Sequence, residues 1–304
     1  MSGIMLNVVS SGGGNPNAGR AIFGYGTTGS RVSITNLVSN TGVVSADVTG
    51  VGTARDGLAA ASYGTDKAIF GYGGSASGVE SMTNLVSNAG VVSADVTGVG
   101  TARYYLAAAG YGADKAIFGY GDPDTGSYLS ITNLVSNTGV VASNTTGVGT
   151  ARRGLAAAGY GTDKAIFGYG FTLSPSVETV SMTNLVSNTG VVSTDTAGVG
   201  TARTRLAAAG YGTDKAIFGY GNSGGGVTNL VSNTGVVSAD VAGVGTSRAS
   251  LAAAGYSTDK AIFGYGEGPT AITNLVSNTG VVSTNVTGVG TAREYLAAAS
   301  FGGI

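Results

Sequence analysis

Four short phrases recur in fixed order, six times each, along the 304 residues of this chain, and no other feature constrains its fold as strongly. AIFGYG follows a basic residue at Arg20, Lys67, Lys115, Lys164, Lys215 and Lys260. TNLVSN begins at Thr35 and recurs through Thr273, with a GVV run after each copy. A TAR phrase (TSR once) ends at Arg55, Arg103, Arg152, Arg203, Arg248 and Arg293, and LAA starts two free positions later. Such a unit is too small to bury its own apolar residues and must pack against its neighbours.

Each phrase reads as a strand. LAAAGYG is small and apolar, which suits an innermost position beside a crowded axis. KAIFGYG alternates, predicting Ala68, Phe70 and Tyr72 on one face and Ile69 on the other. TNLVS and VVSADV are β-branched runs joined by NTG, a hairpin loop whose Gly accepts positive φ, and GTDK supplies the turn between the first two strands. The Asn residues of TNLVSN read as turn and loop hydrogen bonders, and Tyr72 with its equivalents as packing between repeats rather than a sugar-stacking ring. No 3.6-residue stripe or capping box signals a helix.

Four antiparallel strands per repeat and six repeats predict an all-β fold, a six-bladed β-propeller of four-stranded blades. A β-solenoid is the competing arrangement, but hairpin-joined coils and missing polar caps argue against it. The first repeat opens at its second strand, so Leu296 to Phe301 is expected to complete the blade holding Ala21 to Gly26 and close the ring. The rival is that Met5 to Ser10 fills that slot. Residues 1–19 match no repeat and read as an N-terminal arm on a propeller spanning 20–304.

Composition narrows the function. The net charge is −1 and charged residues make up only 10%, so neither nucleic acid nor an anionic membrane is expected as a partner. Cys, His and Trp are absent, which removes disulfides, thiol nucleophiles, and the commonest general base and metal ligand. No catalytic residue, metal or cofactor is therefore predicted. Asp122 and Asp124 form an Asp-x-Asp pair in a Pro/Gly loop, which reads as a turn former before a carboxylate pair or Ca²⁺ ligand. The opening MSGIMLNVVSSGGG lacks the basic region and long apolar run of a signal peptide, and no stretch approaches a membrane span. Synthesis in a cytoplasm and no membrane insertion are the expectation.

Arg103 before LAAAGYG, and the apolar AIF leading into Gly119-Tyr120-Gly121, resemble the kelch family of propellers over nearly the whole chain. The glycines are split by Tyr, and the family's spaced Tyr and Trp are replaced by Leu and Val, so the resemblance implies kelch-like architecture without kelch function. The wording of the repeat is also similar to arrays encoded by marine tailed bacteriophages, which implies a virion or tail location and other virion proteins as partners.

The copies differ in two places. Between GYG and TN the stretches have lengths 8, 9, 10, 12, 6 and 6, while the remainder of each repeat is constant at 39. The pair after each repeated Arg also varies: Asp56-Gly57, Tyr104-Tyr105, Arg153-Gly154, Thr204-Arg205, Ala249-Ser250 and Glu294-Tyr295. In an up-and-down blade both sites fall on one face, while the uniform GTDK and NTG turns fall on the other. Loops on a rigid scaffold carry binding function, although unconstrained drift is the bland account. The candidate ligand-binding residues are Tyr104, Tyr105, Asp122, Asp124, Tyr128, Arg153, Phe171, Glu178, Arg205, Glu294 and Tyr295, rich in types that make binding contacts. The repeated Arg residues read either as an anion ring at the channel mouth or as ties to backbone carbonyls or to acids such as Asp95 or Asp114; presence in every copy favours the tie. The expected function is a non-enzymatic binding protein recognising a cell-surface glycan or receptor. The alternatives are an architectural virion component and, last, a polysaccharide-degrading enzyme.

Overall fold

A computed structural model describes residues 19–302, which are all-β and contain no helix. Six three-stranded antiparallel sheets account for the repeats. In the second, an alanine-rich strand (Ala59–Tyr63) pairs with Lys67–Gly71, which pairs in turn with Thr83–Val86. The third to sixth sheets follow the same order, with longer strands in the third (Lys115–Gly121, Leu129–Val135) and fourth (Lys164–Thr172, Glu178–Val186). The first sheet joins the two ends of the chain: Ala297–Phe301 pairs with Arg20–Gly24, Arg20 opposite Phe301 and Gly24 opposite Ala297. The expected C-terminal strand is thus in place, whereas Met5 to Ser10 and residues 1–18 of the expected arm lie outside the described residues.

Neighbour relations among the sheets are cyclic. Each hydrophobic cluster draws on two consecutive sheets, and one of them joins Ile262 and Tyr265 of the sixth to Ala21 and Phe23 of the first. The alanine-rich strands touch in the same order, with Ala297–Phe301 against both Ala252–Tyr256 and Ala59–Tyr63.

The sheets are three-stranded rather than four-stranded. The VVSADV segment approaches its neighbour only through isolated bridges, such as Val38 with Val44 and Thr35 with Val48. The reason is the Asn of TNLVSN, whose Nδ2 donates to the backbone carbonyl between the bridges in all six copies, as Asn36 does to Ser45 O and Asn133 to Ala142 O, both at 3.0 Å. Where that residue is a serine, its Oγ also takes the facing N–H, as Leu37 N–H donates to Ser45 Oγ at 3.0 Å, so side chains interrupt the ladder.

AIFGYG departs from simple alternation at its tyrosine. Ala68 and Phe70 pack toward the first sheet as expected, but Tyr72 packs with Ile69 toward the third. Its φ of +65° turns the side chain to the opposite face, and all six equivalent tyrosines share that left-handed backbone. There the Tyr72 ring meets Phe118 at 5.1 Å. The preceding glycine makes this packing possible, because a Cβ on Gly71 would lie 2.7 Å from Phe118 Cζ.

The repeated arginines are ties between sheets, not a ring at a channel mouth. Five of the six are 0% exposed and Arg248 is 5% exposed. Arg152 donates to Tyr169 O at 2.9 Å, Thr150 O at 3.0 Å and Asn184 Oδ1 at 2.6 Å, with its guanidinium 4.3 Å from the Tyr120 ring centroid. The Asn residues after the repeated Thr are consequently buried strand positions and not loop hydrogen bonders. Asp195 lies 3.8 Å from Arg152, the kind of partner expected of Asp95, but Asp114 pairs with Lys115 at 2.7 Å.

The Asp/Asn exchanges between copies follow from the same network. Asp195 accepts from Thr150 N–H and Oγ1 and from Asn184 Nδ2. In the preceding repeat Asn144 accepts from Thr101 N–H, and its amide donates to Thr101 Oγ1, so the hydroxyl reverses its role. Burial works against ionisation of Asp47, Asp95, Asp195 and Asp240, yet bonds from Thr and Asn, aided by the nearby arginine, hold each below its usual value. A depressed folded pKa contributes stability above the unfolded value of 3.8 that is lost as pH falls through the folded one. Replacing these four by Asn should leave the melting temperature at pH 7 nearly unchanged, because Asn144 and Asn285 already serve. It should also flatten the loss of stability below pH 4, read by urea unfolding at stepped pH; an unchanged acid slope would refute the assignment.

Candidate functional site

The two variable stretches of each repeat meet at one end of the sheets. The first residue of each pair after Arg bridges the loop residue after GYG in five cases: Asp56 with Gly74, Tyr104 with Asp122, Arg153 with Phe171, Thr204 with Asn222 and Glu294 with Thr27. The second residues form a closed cycle of six backbone hydrogen bonds. Tyr105 N–H donates to Gly57 O, Gly154 to Tyr105, Arg205 to Gly154, Ser250 to Arg205, Tyr295 to Ser250 and Gly57 to Tyr295, at 2.7–2.9 Å. All six residues have φ between 53° and 62°.

Around this cycle small and large side chains alternate: Gly57, Tyr105, Gly154, Arg205, Ser250, Tyr295. Six large side chains cannot converge on one axis, and alternation lets three of them interdigitate. Tyr105 reaches across Gly57 to Tyr295 at 5.4 Å between centroids, and Arg205 reaches across Ser250 to lie 5.3 Å from the Tyr295 ring. Part of the variation between copies is therefore axial packing. Sequence reasoning missed this, although the alternation is legible once the positions are known to share an axis.

From the axis a continuous chain of rings and guanidinium groups runs outward. Arg153 lies 5.6 Å from the Tyr105 centroid and 5.0 Å from that of Tyr128, and Tyr128 meets Phe171 at 6.3 Å. Tyr104 stacks on Tyr105 at 4.3 Å. Buried Asp122 holds Arg153 at 2.7 Å and accepts the Asp124 N–H at 2.8 Å, so the Asp-x-Asp pair is a turn and an anchor. Phe171 and Glu178, expected in a loop, stand on the extended strands Lys164–Thr172 and Glu178–Val186, because the longest stretch continues the hairpin. Glu178 is exposed, hydrogen-bonded to Ser176, and does not join the cluster.

Burial raises the Tyr105 hydroxyl pKa, with Tyr295 adding to the effect; burial also raises that of Tyr128, against Arg153. Burial opposes the Arg153 charge, but Tyr128 and Asp122 outweigh it. Glu294 is pushed up by burial and by Glu267, while Arg205 opposes. At neutral pH the cluster thus presents neutral phenols and charged guanidinium groups, a surface suited to stacking and hydrogen bonding. Among the described residues no group of three or more acidic, His or Cys side chains is placed to hold a metal.

A cavity of about 240 Å³ opens at the other end. Its walls are inner-strand residues such as Gly110 and Gly159, tyrosines such as Tyr111, and the lysines of the GTDK turns. Each of the five lysines is paired with the preceding Asp at 2.5–3.0 Å, which neutralises the ring. The uniform turns gave no hint of this cavity, because it is made by six sheets together.

No protein-family model matches this chain, and no curated protein matches it.

Proposed function

We propose that the six sheets are the blades of a closed, kelch-like six-bladed β-propeller, and that the protein is a non-enzymatic binding module recognising a cell-surface glycan or receptor through its variable end. The cyclic hydrogen bonds at the axis and the pairing of the two chain ends support the propeller reading. The binding reading is carried by one observation: Tyr104, Tyr105, Tyr128, Phe171 and Arg153, drawn from three repeats, converge in one aromatic and cationic surface. Sugars present flat apolar faces and many hydroxyls, and such a surface matches both. A place in the virion or tail of a bacteriophage, beside other virion proteins, rests on the resemblance of the repeat wording.

Fluorescently labelled protein incubated with host cells, or with a glycan array, tests this reading. Tyr104→Ala with Tyr105→Ala should abolish binding and lower the melting temperature by only a few degrees. Replacing Asp66 and Lys67 at the opposite end should leave binding intact. Equal binding by both double variants would refute the assignment of this face.

A further inference from the structure

Beneath the Tyr105–Arg205–Tyr295 layer lies a small cup of about 80 Å³, lined by one leucine from each repeat, Leu58 through Leu296. These leucines are each 5% exposed, so the floor is apolar and nearly closed. The rim differs from the rest of this face in its unmet polar groups. Arg31 is held by Asp56 at 2.9 Å and Arg153 by Asp122 at 2.7 Å. Among the described residues Arg205 has no ion pair or hydrogen bond from its guanidinium, which rests over Tyr295 and faces Glu294 and Tyr105 at longer range. Next to it in the cycle Ser250 is 5% exposed, and its Oγ has no partner among the described residues. Glu294, beside Tyr295 but outside the cup's lining, has its Oε2 likewise buried without a donor among the described residues. Buried polar atoms without partners are costly and mark places where a ligand completes the bonding.

Size and chemistry together define the ligand. A cup of about 80 Å³ exceeds the ~30 Å³ share of one water, yet falls well short of the ~300 Å³ or more that encloses a whole drug-sized ligand. It takes a substituent while the body of the ligand stays above it. The leucine floor requires that substituent to be apolar, and the free guanidinium requires an anion beside it, for which a planar carboxylate is the best match. The unpartnered Glu294 oxygen requires a hydroxyl donor, and the Tyr295 and Tyr105 rings offer faces to a saccharide ring. Glu267 and Asp56 add negative charge near Glu294, which disfavours a polyanion such as a sulfated chain.

We infer that the axial cup binds an acidic sugar bearing a small acyl substituent: its carboxylate on Arg205 and Ser250, a ring hydroxyl on Glu294, and its methyl group on the leucine floor. This rests on the reading of the variable end as a saccharide-binding surface.

The experiment uses the full chain and three probes, read by calorimetry and saturation-transfer NMR. N-Acetylneuraminic acid carries both carboxylate and acetyl groups, its methyl ester lacks the charge, and glucuronic acid lacks the acetyl group. The acid should bind at least tenfold more tightly than either comparator, and Arg205→Gln should lose at least tenfold of that affinity with an unchanged melting temperature. Ser250→Ala should weaken the acid and leave the methyl ester unaffected. Equal binding of acid and ester, undiminished binding by Arg205→Gln, or no binding of the acid would each overturn the inference. If cell binding still depends on Tyr104 and Tyr105 under those outcomes, the broader reading of the face stands and only the axial cup falls.

Discussion

Deleting residues 294–304 is expected to abolish cooperative folding of the whole chain. The segment supplies the Ala297–Phe301 strand, and its loss leaves Arg20–Gly24 unpaired along one edge. It removes Leu296 from the cluster between the sixth and first sheets, and Ala297, Ala299 and Phe301 from the cluster between the first and second. Truncating a buried leucine costs about 2–5 kcal/mol and a buried phenylalanine about 3–5 kcal/mol, which together approach the ~5–15 kcal/mol stability of a typical domain. Tyr295 also leaves the axial cycle, so Ser250 O loses its donor and Gly57 N–H its acceptor. Two further bonds vanish. Ser62 Oγ donates to Ser300 O at 2.9 Å and Ser300 Oγ donates to Gly255 O at 2.7 Å, stapling the closing strand to both neighbours. Circular dichroism during heating should show a broad, shallow transition, and a synthetic peptide of residues 294–304 added in trans should restore the sharp one. A truncated chain melting like the full-length protein would show that the Ala297–Phe301 strand does not hold the sheets together.

Much of this architecture was legible because the repeat states each local rule six times. LAAAGYG, AIFGYG and TNLVSN are strands where the periodicity places them, and the pairing of the chain ends followed from counting phrases. What alternation could not reveal was Tyr72, whose left-handed backbone reverses the face of its side chain. β-Propensity likewise favoured a fourth strand over VVSADV, but Asn36 Nδ2 occupies the Ser45 carbonyl, as Asn133 Nδ2 does that of Ala142, and breaks the ladder. In the candidate site the same division holds. Tyr104, Tyr105, Tyr128, Arg153 and Phe171 were nameable from variation between copies, since loop bridges bring the two variable positions together. Glu178 was not separable from them, because a longer stretch reads as a longer loop whether or not it continues a hairpin. The alternation of small and large residues about the axis, and the cavity at the opposite end, are properties of six copies arranged together and of no single copy.

The second large effect is expected at Arg152. Arg152→Ala removes a fully buried guanidinium and leaves Tyr169 O, Thr150 O and Asn184 Oδ1 without that donor, beside a cavity against the Tyr120 ring. Stranding partners of a buried charge in this way costs about 3–5 kcal/mol. Lysine does not rescue it, because one ammonium on a flexible stem cannot reach three acceptors set in a planar fork. Arg103 separates the two contributions to that loss. It makes the equivalent bonds to Tyr120 O, Thr101 O and Asn133 Oδ1 at 2.7–2.8 Å, but its neighbouring side chain is Asn144 where Arg152 has Asp195. Arg103→Ala loses hydrogen bonds and packing alone, whereas Arg152→Ala also leaves a carboxylate that is 30% exposed without its cation. Urea unfolding should therefore find Arg152→Ala the more damaging at pH 7, with the difference shrinking at pH 3, where Asp195 is closer to neutral. Adding Asp195→Asn to Arg152→Ala should recover the difference at pH 7 and little else. Equal losses for the two arginines at both pH values would mean that the acid contributes nothing, and that shape and hydrogen bonds alone hold these sheets together.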